Sequence, residues 1–437
     1  MKRALSFVLL ALGSLSCDRA RASHSMLAAP VRQSSAATTG TRAICDAAAP
    51  ARGGDLHALA AGKRGVRLEP ESSDAWVSLG RAWVAVARST ADPGFYFNAN
   101  ACSDAALELA PKNLTAFELR SFALLNDHRF REARDVGETI LAQDPDRPTA
   151  WSIVADALLE LGDLDGSEHA VQRMLDLRPD LASYSRAAHL MWLRGDRAGA
   201  KLASERAVEA GLQSHDPEPL AWVLVDTALL FWHDGDYPAA DAGFDVALTR
   251  LPDFPPALVG KARVRMARHE FVAAAQLLNR AFEKNPTTET AWLLADARRL
   301  AGDARGADEA EAWVVAEGRL RDRRALALFY AAKKRQPEDA VRLAQAELVD
   351  RPSLYTKDAV AWTLYRAGRL QEARTLSDEV AQVGTPDARL LFHAGAIRLA
   401  TGDTTSGRAL IRRALAQNPA FDCFEADEAK TLLETGT

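Results

Sequence analysis

The chain has 437 residues, 48% of them hydrophobic, with 59 acidic side chains against 54 basic ones and a net charge of −5. A mildly acidic chain excludes a protein built to grip phosphate backbones, since that affinity comes from clustered Lys and Arg. Four cysteines in this length exclude a fold that depends on disulfides for its core.

Residues 1–16, MKRALSFVLLALGSLS, carry Lys2 and Arg3 ahead of an apolar run, Ala4 to Leu15, that is too short to span a bilayer as a helix. This is the pattern of an export signal. Cys17 directly follows Ser14-Leu15-Ser16, which resembles the site at which bacterial lipoproteins are cleaved and acylated, although Ser14 stands where leucine is usual. The rival is ordinary cleavage after Ala20-Arg21-Ala22. Either route predicts an exported protein of the cell envelope, periplasmic or anchored through a lipid on Cys17, with no other membrane contact. Loss of Lys2 and Arg3 would move the charge from −5 to −7.

Residues 17–54 are rich in Ser, Ala, Thr, Gly and Pro, with too little apolar surface to offset the entropy of ordering them, and read as a flexible tether. A helical period begins at Asp55 with LHALAAGKRGVRLEP, the second helix of a unit that lacks its first and so caps the array. The next unit holds an insertion, Ser89 to Gly94, followed by Phe95-Tyr96-Phe97. These aromatics either pack under the loop or form an exposed handle.

From Phe117 to Pro145 the chain reads as two amphipathic helices around an Asn126–His128 turn. Trp151 to Pro179 repeats it in register: Phe117 becomes Trp151, Leu124 becomes Leu158, Ile140 becomes Met174, Pro145 becomes Pro179. The period is 34 residues. A proline ladder carries it along the chain, from Pro70, Pro111, Pro145 and Pro179 to Pro217, Pro252 and Pro286, then Pro352, Pro386 and Pro419. The 66-residue gap after Pro286 is two units, with Arg319 in the place of a proline. Residues 213–219 form a polar loop between units. A charged helix, Glu425 to Glu434, follows the last unit as a polar cap.

The residues inside each unit resemble the tetratricopeptide repeat, whose pattern runs aromatic, Leu-Gly, aromatic, Ala, large apolar, Pro. Trp76, Leu79, Gly80, Trp83 and Pro111 supply it in the first unit; Trp151, Trp292, Ala240, Phe244, Ala247, Ala274, Ala281, Ala373 and Ala414 do so later. The resemblance spans roughly Asp55 to Pro419. It implies an all-α, right-handed superhelical solenoid of about ten helix–turn–helix units over residues 55–437, with first helices lining a concave groove.

Chemistry-bearing motifs are sparse. No HExxH, GxSxG, paired CxxC or phosphate-cradling glycine loop occurs. His189 and His233 could begin a metal site but lack a third ligand, so no cofactor is expected. Cys45 and Cys102 are placed to approach one another, leaving Cys423 apart. The resemblance then implies which side chains face the groove: Asp156, His189, Trp192, Trp232, His233, Arg263, Trp362 and Tyr365. Trp192 and Trp232 stand out as large interface anchors, in contrast to Trp151 at the packing position. The expected function is a non-catalytic scaffold that holds a protein or peptide segment in the groove. A self-assembling envelope protein, or an enzyme with a groove site, are the alternatives.

Overall fold

The computed structural model describes residues 35–48, 56–90, 92–212 and 217–435. Helices, and no strands, make up the regular structure of the described residues. Cys17 and the expected signal lie outside them. Contacts group residues 17–177 and 178–437 as separate units, taken here in turn.

In the first unit the helices are α1 (Ser35–Cys45), α2 (Leu56–Leu68), α3 (Ser73–Thr90), α4 (Phe95–Leu109), α5 (Leu114–Asn126), α6 (Phe130–Leu141), α7 (Pro148–Glu160) and α8 (Leu164–Leu177). They pair antiparallel as α3/α4, α5/α6 and α7/α8, and α2 packs on α3 as a half-unit would. Gly80 explains one close approach: a Cβ there would meet Cys102 Cβ at 2.9 Å, so glycine lets α3 lie close against α4. The recurring spacing of proline and aromatic, Pro70 to Trp76 and Pro145 to Trp151, has a local cause as well. Trp76 Nε1 donates to the Pro70 carbonyl and Trp151 Nε1 to that of Pro145, both at 2.8 Å. The proline that ends one helix therefore orients the aromatic that opens the next pair.

The turn inside a pair is also written in sequence. Gly162 takes a positive φ of 79°, a region that disfavours side chains, and Asp163 then caps α8 by accepting from the Gly166 amide at 2.9 Å. The same glycine–aspartate step recurs at Gly195, Gly235, Gly302 and Gly402.

Two expectations change in this unit. Residues 35–45, expected within the tether, form the helix Ser35–Cys45, which packs on α4. Its anchor is long-range: the Ile44 carbonyl accepts from Asn98 Nδ2, the Cys45 carbonyl from Trp83 Nε1, both at 2.7 Å, and Cys45 is disulfide-bonded to Cys102. A covalent link supplies the order that the thin apolar content of this stretch does not. The inserted aromatics divide: Phe95 stacks on Trp83 at 5.4 Å, Tyr96 joins that core, and Phe97 is 49% exposed.

The second unit begins with α9 (Leu181–Leu193), α10 (Arg197–Gly211), α11 (Pro217–His233) and α12 (Tyr237–Arg250). It continues through α13 (Pro255–Ala267), α14 (Phe271–Lys284), α15 (Thr288–Leu300), α16 (Ala304–Arg321), α17 (Arg323–Ala332) and α18 (Pro337–Asp350). It closes with α19 (Leu354–Arg366), α20 (Leu370–Val383), α21 (Ala388–Ala400), α22 (Thr404–Gln417) and α23 (Glu425–Thr435). Pairs from α9/α10 to α21/α22 stack in order. At the missing proline, Asp322 alone separates α16 from α17, and its carboxylate caps α17 through the Ala325 amide at 2.9 Å. Asparagine, aspartate or proline can each stop a helix, so the ladder tolerates the gap.

Candidate functional site

Within residues 178–437 the first helices of the pairs are α9, α11, α13, α15, α17, α19 and α21, and among them they carry buried polar side chains such as Ser185, Thr290, Asp296, Arg324, Asp358 and His393. Later loops of the chain bond to the ends of two of these helices. Thr385 Oγ1, in the loop between α20 and α21, donates to the Leu193 carbonyl at 2.6 Å. Asn418, just past α22, donates through Nδ2 to the Trp232 carbonyl at 2.8 Å and accepts from the Tyr237 hydroxyl at 2.7 Å. Gln417 Nε2 reaches the His233 carbonyl at 3.2 Å. Late turns of the chain are thus bonded to the ends of α9 and α11, 184 to 192 residues earlier.

Trp192 and Trp232 are accordingly buried, 4% and 5% exposed, which corrects the expectation that both stand open to a partner. The causes differ. Trp232 belongs to the stripe Ala221, Val225, Ala228, Trp232, spaced four, three and four residues apart, which packs into the α11/α12 core with Phe244. Trp192 does lie toward the interior, with its ring 4.5 Å from that of His233, but residues 384–387 close over the end of α9. His233 is one residue beyond the core stripe and faces inward. Its Nδ1 lies 3.8 Å from Asp387, and burial holds its pKa below the ordinary imidazole value despite that carboxylate. His189 is half-buried beside Trp192, ring to ring at 6.0 Å. Arg263 pairs with Glu289. Asp156, in the other unit, is buried on α7.

The densest chemistry lies around Trp362. This side chain is fully buried and stacks on His393 at 3.9 Å with 12° between the planes. Arg366 covers its other side at 4.2 Å, and Tyr365 stacks at 4.9 Å. His393 Nδ1 is 2.8 Å from Asp358 Oδ2, and its Nε2 is 3.4 Å from Glu425 Oε1. Burial alone would discharge the ring, but the two carboxylates outweigh it and push the pKa up to about 9. Arg389 meets Asp422 at 2.7 Å and Glu425 at 3.2 Å. Burial raises Asp358, while Glu425 is lowered by His393 and Arg389 against its own burial. A further pair, Lys333 with buried Asp296, lies on α15 and the α17 turn, where burial pushes the carboxyl up to about 7.

Both nitrogens of His393 are engaged by carboxylates, so the ring has no free lone pair with which to accept a proton. Cys423, the free thiol among the described cysteines, is pushed by burial up to about 12 and is a poor nucleophile. Among the described residues no group of three or more His, Cys, Asp or Glu is placed to hold a metal ion. The arrangement suits charge pairing and helix docking. Of these residues, sequence pattern alone missed Arg389, His393, Asp387, Asp422 and Glu425. One signal was available: His393 interrupts the apolar run LLFHAGAI.

The ionised histidine gives a pH prediction. A group whose folded pKa lies above its unfolded value contributes fully below the unfolded value and loses that contribution as pH rises through the folded one. The melting temperature should therefore fall between pH 6.5 and about 9, corresponding to roughly 3 kcal/mol at most. His393→Gln should flatten that slope. An unchanged slope would mean that the ring is neutral.

Comparison with known proteins adds the family. Tetratricopeptide repeat models match residues 124–191 and 359–420. The Chaperone protein YscY of Yersinia enterocolitica is 33% identical over 75 residues, 17% of this chain; the chain spans 66% of that relative's length. Among solved structures, PilW, a widely conserved type IV pilus biogenesis factor, aligns with TM-score 0.40 at 18% identity, over 49% of this chain and 97% of that one. Human IFIT1, solved as a dimer with m7Gppp-AAAA, aligns with TM-score 0.49 at 15% identity, over 82% of this chain and 85% of that one. The repeat period, the helical pairs and the two family matches agree: the chain is a tetratricopeptide-repeat protein.

Proposed function

We propose that this protein is a non-catalytic protein–protein interaction scaffold of the bacterial cell envelope, which holds a partner segment against the inward faces of its first helices. The observation that carries the reading is that this face already takes a helix: α23 and the residues before it lie against α19 and α21. A surface of parallel helices with polar side chains at fixed spacing is suited to helix-in-groove recognition. The chaperone name of the Yersinia relative supports a protein partner.

Export is supported by the pattern of Met1 to Cys17 and by the Cys45–Cys102 disulfide, which an oxidising compartment favours. No helix among the described residues is long and apolar enough to cross a membrane; the lipoprotein reading places attachment at Cys17. Cys17→Ser should move the protein from the membrane fraction to the soluble one. A wild type already soluble, with its N-terminus at Ser23, would rule out the lipid. For the scaffold itself, pulldown from an envelope extract should recover a stoichiometric foreign protein. Recovery of the chain alone would favour self-assembly instead.

A further inference from the structure

We propose that residues 418–435 are an internal occupant of the groove, and that the partner segment this surface takes is an acidic amphipathic helix that displaces them. The proposal rests on the scaffold reading above and names the chemistry of its ligand.

The occupant carries a ladder of carboxylates three residues apart: Asp422, which accepts from the Phe424 and Glu425 amides at the start of α23, then Glu425 and Glu428 within its first turns. Each rung meets cationic groups from the groove. Asp422 pairs with Arg389 of α21 at 2.7 Å. Glu425 pairs with Arg389 at 3.2 Å and with His393 at 3.4 Å. Glu428 takes both terminal nitrogens of Arg366 on α19, at 2.8 and 2.6 Å, and Lys334 after α17 at 3.1 Å. Ala426 and Ala429 supply the small buried face that lets α23 approach α21 and α22 closely. Lys333 lies 4.8 Å over the ring of Phe424.

The recognition belongs to the groove as much as to the occupant. Arg366, Arg389 and Lys334 make their ion pairs with carboxylates of residues 422–428. Withdrawing that segment would leave two buried or half-buried cations, Arg366 and Arg389, and the exposed Lys334 beside His393, a site of strong preference for acids. The internal fit is also imperfect. Glu425 Oε2 is buried and accepts no hydrogen bond, although Arg389 Nε is 3.2 Å away, and Arg366 Nε is likewise unmatched. A segment that satisfies these atoms would compete with the internal one. Residues 418–424, non-helical between α22 and α23, provide the length over which α23 could swing out.

The test uses the full chain and a fluorescent synthetic peptide of residues 418–435. Glu425→Lys with Glu428→Lys places two cations against the groove and should expel α23. The peptide should then bind this variant at least tenfold more tightly than wild type, a scrambled peptide should not, and Arg366→Glu added to the variant should abolish binding. Hydrogen exchange of α23 amides should rise tenfold or more while α19–α22 stay protected. Glu428→Gln, a milder change, should move both readouts in the same direction by a smaller factor. Equal or absent peptide binding by wild type and variant would overturn the proposal. So would loss of protection in α19–α22 together with α23, since α23 would then be part of the core. The envelope pulldown separates the two readings. A foreign protein captured equally by wild type and variant keeps the scaffold and discards the displaced helix. Capture that the variant increases and the peptide blocks supports both.

Discussion

The double variant Trp192→Ala, Trp232→Ala is expected to lose at least about 5 kcal/mol of stability in the unit of residues 178–437, since emptying one buried tryptophan site costs roughly 3–5 kcal/mol. Trp232 fills the space between α11 and α12 beside Phe244 and Tyr237, whose ring lies 5.4 Å away, and the other members of its own stripe are only alanine and valine. Trp192 holds His233 at 4.5 Å under the loop that bonds to Leu193. Its loss should loosen that closure as well as leave a void. Denaturant unfolding followed by circular dichroism measures the effect. Trp192→Phe provides the control. The indole N–H of Trp192 is buried without a hydrogen bond, so phenylalanine gives up volume while removing an unpaired donor, and should cost less than about 1 kcal/mol. Trp151→Ala should be the mildest of the alanine changes to tryptophan, because Trp151 is half-buried and its N–H already bonds at the exposed edge of the stack. A double variant as stable as wild type would mean that the interior is open and the two rings face solvent.

Reduction of the Cys45–Cys102 bond is expected to cost the unit of residues 17–177 roughly 4 kcal/mol, from the chain entropy of a loop that spans 57 residues. The loss should be local. Cys45 and Ile44 anchor α1 through one disulfide and two backbone carbonyls, so without the bond α1 should detach first and expose the Trp83–Phe95 stack. Cys45→Ser with Cys102→Ser should reproduce the effect without reductant. The readouts are tryptophan emission and hydrogen exchange of α1 amides. Retention of α1 protection in the serine variant would show that packing alone holds it.

Much of this molecule can be read in one dimension. The 34-residue period, the prolines that end helices, the glycine–aspartate turns and the alanines where helices touch are local signals, each imposed by backbone geometry within a few residues. A tetratricopeptide stack is unusually legible because its contacts run between near neighbours in sequence. Even Trp232 was legible in principle: the spacing of Ala221, Val225, Ala228 and Trp232 marks a core stripe, but on a 17-residue helix the register can be counted from the wrong aromatic.

What the sequence by itself determined is therefore the repeat and the helical pairs. Only the tertiary structure decided what the side chains at the ends of the first helices touch. The pairing of Asn418 with Trp232, of Thr385 with Leu193 and of Glu428 with Arg366 depends on a small turn per repeat accumulated over many repeats. No local pattern encodes that sum. Trp192 and Trp232, which read in sequence as open positions, are covered in three dimensions by the chain's own later turns, because amides and hydroxyls far along the chain satisfy carbonyls that would otherwise be left without partners.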